Sequence, residues 1–441
     1  MPFVQRITRG LECVCGSSRC WYWLRLWFFR RHTKSGFCAG KVGQKIGSSA
    51  SHKYEKGKKL LKVMFHCWEY PPRGSGIGRY IHHMSQALRE AGHFTVVMTS
   101  HGAHGSSEES LQNGMVYRVY DVQDIGKPHI AELVLQKACE HHVDWIEGAD
   151  HLGESALLLE RKPLPPVIIK AHYNDVLKCA RYAQVCCGWQ KPLIDIACWR
   201  DRKRLQREKD SLEKADVLLA SSARILQEME KQGLQLPVRR CVMPNPISPI
   251  ANWVNEEAVE PTILLVGRID IGKGIEYLPS LLDALILKFP TLRLEIAGGD
   301  SYARLLGSTR LWLLRKLGAR SKHVSFLGEI GSAALDAAYR RAWVVIVPSR
   351  WDTFPTVVLE AMSRSKAIVA SPNGGMPEML EGTGNFVSDP AAKEFSEAVL
   401  SLLGDRQSRD RAGSSGFRKS LQAYNPQIVA KQHVDFVSSC L

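Results

Sequence analysis

Acidic residues are scarce at one end of this 441-residue chain. Residues 1–60 hold two glutamates and no aspartate against 13 lysines and arginines, a local charge of +11 that accounts for most of the formal +15 and leaves only +4 for the other 381 residues. The body is nearly balanced, so a broad nucleic-acid-binding face is not implied and no nucleic-acid partner is expected. The most apolar stretch near the start, Trp21 to Phe29, is about nine residues long and is broken by Arg25. A spanning helix needs roughly 20 residues and a secretion signal needs a longer apolar core with a small-residue cleavage site, so neither is expected there. Twelve cysteines are scattered without any C-x-x-C pair, which excludes zinc-ribbon and thioredoxin-like arrangements. With no export signal read, reduced thiols and a cytoplasmic location are expected.

What is present fits a folded two-domain protein, since single cores stop growing at roughly 250–300 residues. Apolar residues make up 45% of the chain and charged ones 23%, so disorder is excluded for the whole. Residues 1–59 read differently. Trp21, Trp23, Trp27 and Phe28, flanked by Arg25, Arg30 and Arg31, would suit a membrane interface, whereas the Gly-, Ser- and Lys-rich Gly40 to Lys59 reads as a disordered extension or a misplaced translation start.

From residue 60 short apolar runs alternate with helical patterns. Leu60–Cys67, Phe94–Thr99, Met115–Tyr120, Val143–Ile146, Val167–Lys170 and Asp216–Ala220 read as strands of a first parallel sheet. Residues 243–261 carry Pro244, Pro246, Pro249 and Pro261 with no apolar periodicity, as a linker does. A second alternation follows, with strands at Ile263–Val266, Leu292–Ala297, Val324–Leu327, Val344–Val347 and Ala367–Ala370, and helices near 391–403 and 426–438. The expected division is an extension (1–59), a first domain (60–242), a linker (243–261), a second domain (262–415) and a C-terminal helix (416–441) packing back toward the first domain.

Two loops of the second domain carry most of the chemistry. After strand ILLV comes Gly267-Arg268-Ile269-Asp270-Ile271-Gly272-Lys273-Gly274, whose glycines permit close backbone approach and whose two cations lie five residues apart, a turn formed to receive a diphosphate. Arginine grips two phosphate oxygens at once and lysine acts as a mobile point charge. After strand VVIV, Asp352 lies in a loop and Glu360 one or two turns into the next helix, so both carboxylates can face one crevice. Each feature taken alone also suits a solvated turn or a carboxylate favoured by a helix dipole.

Together they resemble glycosyltransferase family four, the retaining GT-B enzymes also described as glycosyl transferases group 1. The resemblance spans about residues 60–440. It includes Pro71-Pro72-Arg73-Gly74-Ser75-Gly76-Ile77-Gly78-Arg79, His172, Glu213 to Ser222, Pro244-Asn245, Ala297-Gly298-Gly299, Phe326-Leu327-Gly328 and Gly374-Gly375-Met376-Pro377-Glu378. It implies an α/β fold of two Rossmann-like domains with parallel sheets facing across a cleft, and transfer of a sugar from a nucleotide-diphosphate sugar to a hydroxyl acceptor with retained configuration.

By position, the resemblance implies that Arg268 and Lys273 neutralise the donor diphosphate, Glu360 holds the ribose and Asp352 faces the transferred sugar. Gly74, Gly76, Gly267, Gly298, Leu327, Thr353, Phe354 and Pro355 complete the implied donor site. The family usually has Glu at the place of Asp352 and a glycine shortly after it, where this chain has Thr353-Phe354-Pro355. His172 would face the acceptor or be a core histidine, and Glu147 and Asp150, read as a loop after strand DWIE, are acceptor-side candidates. No D-x-D pair offers a divalent cation a seat, so neither metal nor cofactor is expected. The implied partners are a nucleotide sugar, a glycan or lipid-linked acceptor, and a membrane surface met at its inner face by the basic N-terminus; polysaccharide or other glycoconjugate assembly is the implied setting. A nucleotide-sugar epimerase or a non-catalytic nucleotide-sugar-binding protein would share the architecture.

Overall fold

The computed structural model describes residues 59–72, 76–101, 105–121, 124–161, 165–172, 175–177, 201–250, 252–303 and 307–441. The basic extension up to residue 58 and Gly74 lie outside the described residues.

The first lobe is an eight-stranded sheet of β1 (Lys62–His66), β2 (Phe94–Ser100), β3 (Ser107–Leu111), β4 (Gly114–Tyr120), β5 (Trp145–Ala149), β6 (Val167–Ala171), β7 (Val217–Ala220) and β8 (Arg240–Val242), in the order β3-β4-β2-β1-β5-β6-β7-β8. All pairings are parallel except β3 with β4. The central strands are buried along their length because helices cover both faces, which is why they read as apolar runs, broken by Glu147 in β5 and Lys170 in β6. The antiparallel β3 was not expected: its sequence SEESL is almost wholly exposed and has no apolar alternation to reveal it. Strand β5 begins at Trp145 and ends at Ala149, later than expected, so that Glu147 lies inside the strand and not in the loop after it.

Helix α1 (Gly76–Glu90) follows β1 and buries Ile77, Tyr80, Ile81, Met84 and Leu88, a stripe at helical spacing. Helix α2 (Ala223–Lys231) follows β7 and is capped by the Ser222 hydroxyl, which accepts from Ile225 N at 3.3 Å.

The second lobe has six parallel strands: β9 (Thr262–Val266), β10 (Arg293–Ala297), β13 (Val324–Gly328), β14 (Val344–Val347), β15 (Ala367–Ala370) and β16 (Phe386–Val387), ordered β13-β10-β9-β14-β15-β16. A ribbon of β11 (Tyr302–Ala303) and β12 (Gly307–Ser308) stands outside the sheet. Helix α3 (Thr356–Met362) follows β14. Helix α4 (Arg406–Ala423) crosses the expected boundary at residue 416 without a break; its polar RQSRDRAGSSGFRKSLQA sequence hides it from a periodicity reading. The break falls instead at Asn425, whose Oδ1 accepts from Gln427 N at 3.0 Å, with Pro426 as the first residue of α5 (Pro426–Cys440).

Helix α5 returns to the first lobe. Val429, Ala430, Val434 and Val437 join the core formed by Ile77, Tyr80, Met84 and Leu88 of α1. Where the chain crosses back, Ile247 N in the segment between the lobes donates to Tyr424 O at 2.8 Å, so the two crossings run side by side.

Candidate active site

In each lobe the strand order reverses direction at one place, β1 beside β5 in the first and β9 beside β14 in the second. Loops leaving the carboxyl ends of strands at such a switch point diverge and leave a crevice, the usual ligand position in parallel α/β sheets. The sequence-predicted residues fall there: the turn from Gly267 to Gly274 leaves β9, the segment from Pro348 to Pro355 leaves β14, and Asp150 follows β5.

The turn after β9 is built to present Lys273. Asp270 opens a single 3-10 turn, accepting from Lys273 N at 3.2 Å, and the Lys273 ammonium reaches Asp352 Oδ2 at 2.7 Å. Gly267 lies along the Lys273 stem, where an added Cβ would sit 3.7 Å from Cγ. Gly274, at φ +75°, is needed because a Cβ there would meet Pro348 O at 1.9 Å; the two loops are in backbone contact. Arg350 N donates to Gly272 O at 3.0 Å and the Arg350 guanidinium pairs with Glu276, binding the loops a second time. Arg268, 55% exposed, sits at the mouth with its Nη2 3.5 Å from Asp270.

Burial pulls the Lys273 ammonium down, but the charge of Asp352, with Asp270 assisting, outweighs it and leaves the group above its ordinary value. Lys273 therefore stays charged at neutral pH. With side chains 29% and 20% exposed, Lys273 and Asp352 form a pair at the crevice wall and not in the core.

Asp352 is held from behind. Gly374, at φ +70°, passes so close that a Cβ would lie 1.7 Å from Asp352 O, and Gly375 N donates to Thr353 O at 3.0 Å. The Thr353 hydroxyl donates across the crevice to His172 O. Of the residues read as donor-binding, Phe354 is buried edge-on against Tyr424 and Leu327 packs partly buried on the same core, so both side chains pack here. Pro355 stands just before the first turn of α3, and Gly298 is required where β10 nearly touches Gly267, an added Cβ falling 1.9 Å from Gly267 O.

Glu360, on α3, is buried, accepts from Tyr339 Oη at 3.2 Å and forms an ion pair with Arg79 of α1. Gly76, at the start of α1, faces Thr356 at the start of α3. The lobes meet again where the Glu378 carboxylate accepts from Ala223 N at 2.9 Å and Arg224 N at 2.7 Å. This places an anion on the N-terminus of α2, which favours negative charge.

The chain is similar over much of its length to known sugar-transferring proteins. Residues 251–419 match the family model described as Glycosyl transferases group 1. A glycogen synthase of Mycobacterium tuberculosis is 26% identical over 413 residues, covering 84% of this chain and 92% of that one. The fold is similar to sucrose-phosphate synthase from Thermosynechococcus elongatus (TM-score 0.69, 20% identity, 86% of this chain and 98% of that one). It is also similar to Anabaena HepE, solved in complex with UDP-glucose (TM-score 0.62, 18% identity, 86% and 100%). The chain is a glycosyltransferase carrying a group 1 domain.

On the first-lobe side of this GT-B enzyme the predicted residues are arranged differently from one another. Asp150 Oδ1 accepts from His172 N at 2.9 Å, fixing the end of β6 to the end of β5. The His172 ring stands edge-on to Tyr80, with centroids 4.5 Å apart. Burial, then the neighbouring Lys170, lowers His172 well below its ordinary value, so the imidazole is neutral. Glu147 needs a correction: inside β5 it is 2% exposed and enclosed by Tyr80 Oη at 2.7 Å and by His433 Nε2 of α5, so its carboxylate is withdrawn from the crevice.

Sequence reasoning passed over Lys170, fully enclosed on β6, with its ammonium on Met243 O and 5.2 Å from the Tyr80 ring centroid. Burial pulls it down to about 7 against the opposing pull of Glu147. Burial also pushes the Glu147 carboxyl up, but His433, Tyr80 and Lys170 together hold it below its ordinary value. A charged residue in the apolar run VIIKA was the available signal. Arg79 was passed over too, although it closes the glycine-rich stretch. Among the described residues no helix is long and apolar enough to cross a membrane.

Proposed function

We propose that this glycosyltransferase is a retaining enzyme that moves a sugar from a nucleotide-diphosphate sugar to a hydroxyl of a glycan or lipid-linked acceptor. One observation carries the reading: Lys273 and Arg268 leave one turn at the switch point, with Lys273 held charged against Asp352 and Glu360 close behind on α3. In this reading Lys273 and Arg268 take the diphosphate, Glu360 takes the ribose hydroxyls and Asp352 meets the sugar. HepE, solved with UDP-glucose, lends support to a nucleotide-sugar donor.

As the bond from C1 of the sugar to the phosphate oxygen breaks, negative charge grows on the departing diphosphate. Cations aimed there bind the transition state more tightly than the ground state. The acceptor oxygen forms its bond to C1 on the same face, and its proton passes to the leaving phosphate oxygen, so the products are the glycoside and the nucleoside diphosphate. Charge is neutralised by side chains, and the reading calls on no metal.

A thermal-shift screen of UDP-, GDP-, ADP- and dTDP-sugars tests the donor class. A donor present at 100 times its Kd should add about 2.7 kcal/mol of apparent stability. If no member of the panel raises the melting temperature while the chain unfolds cooperatively, the proposal fails.

A further inference from the structure

The ion pair between Arg79 and Glu360 joins the two lobes through the carboxylate read above as the ribose anchor. Its two partners differ in what they need. The Glu360 side chain is 7% exposed, so its charge requires donors in place, and those present are Tyr339 Oη and the Arg79 guanidinium. The Arg79 side chain is 46% exposed and can return to water at little cost. A ribose diol offers two O–H donors and would satisfy the carboxylate in place of the guanidinium. Arg79 lies one turn from Gly76, which faces Thr356 of α3, so the exchange happens where the lobes touch.

We propose that Arg79 is a positioning residue of the donor site: it holds Glu360 until nucleotide arrives and surrenders it to the incoming ribose. Lobe contact and nucleotide binding then compete for one carboxylate. This proposal rests on Glu360 being the ribose anchor. The other bridges, Glu378 to the start of α2 and Thr353 to His172 O, do not involve Glu360, so the lobes stay in register while Arg79 lets go. Because the coupling is reciprocal, whatever the latch adds to closure it removes from nucleotide affinity.

Calorimetric titration of the full chain with UDP, ADP and GDP tests it, the nucleotide that binds being carried through the variants. Arg79→Ala is expected to bind about threefold to fivefold more tightly, the range open to a partly exposed pair. The KM for the matching donor should fall by the same factor with kcat unchanged. Arg79→Lys, which keeps the charge, should return toward the wild-type affinity. In a Glu360→Gln background, Arg79→Ala should change affinity by less than about half of that factor. Weaker binding by Arg79→Ala, as when the guanidinium itself grips the donor, overturns the proposal, as does equal tightening in the Glu360→Gln background. If none of the three nucleotides binds wild type or variant, the ribose-anchor reading falls and takes this proposal with it. If a nucleotide binds and ignores Arg79→Ala, only the latch falls.

Discussion

Just behind the switch point of the first lobe, Glu147 is bound to His433 and Lys170 to Met243 O out of reach of solvent, whereas Lys273 and Asp352 of the second lobe meet at the crevice wall with a fifth to a third of each side chain exposed. The sheets that carry them share a strand order around that point. The difference lies in what each arrangement can exchange. A charge enclosed by protein has no solvent to fall back on, so the first-lobe group holds β5, β6 and α5 together. A pair at a wall can trade its partner for a ligand. One lobe uses charge to fix its own geometry, and in the function proposed above the other uses it to receive an anion.

Removing one charge from each group should separate these roles. Glu147→Ala strips Tyr80 and His433 of their shared acceptor and Lys170 of its neighbouring negative charge, and should cost about 3–5 kcal/mol of stability. Chemical denaturation would record it, while nucleotide binding by the remaining folded protein should be little changed. Lys273→Ala should behave in the opposite way. By comparison with an oxyanion-hole donor it should lower kcat by about 100- to 1,000-fold, equivalent to about 2.7–4 kcal/mol, with the melting temperature near wild type. Were Lys273→Ala to unfold the chain, or Glu147→Ala to spare stability while removing activity, the contrast between the lobes would collapse.

A third expectation concerns acid. Burial lowers His66 on β1 to about 4 from its ordinary 6.5. Between those values the unfolded chain binds the proton and the folded one does not, so stability rises as pH rises through this window and falls as the solution is acidified. The contribution is up to about 3 kcal/mol. Denaturation of His66→Gln at pH 4 and pH 7 should show a smaller difference than wild type. The smallest effect belongs to Asp352→Glu, one methylene longer, which should alter the ratio of kcat/KM between two donor sugars by about 1–3 kcal/mol. An unchanged ratio would remove Asp352 from the sugar's surroundings.

The parallel strands were legible because strands covered on both faces must be apolar along their length, as β14 (VVIV) and β15 (AIVA) are. The loops that follow them were legible because glycine and charge concentrate at strand ends. Other elements left no such mark. Strand β3 is exposed, and α4 mixes arginine, serine and glycine around a narrow buried face. Glu147 looked like a loop residue because DWIE begins with a polar residue, and only the register of β1 with β5 places it mid-strand. Phe354 and Leu327 sit beside the chemistry in sequence yet face the core. The Arg79–Glu360 pair joins residues 281 positions apart, a contact no local pattern announces.

The account turns on the crevice between the lobes receiving a diphosphate at Lys273. A crystal structure grown with the nucleoside diphosphate that stabilises the chain most would test this directly. Phosphate oxygens within about 3 Å of Lys273 Nζ, with the ribose hydroxyls on Glu360, are the predicted result. A nucleotide bound elsewhere, with Lys273 still paired to Asp352, would contradict it.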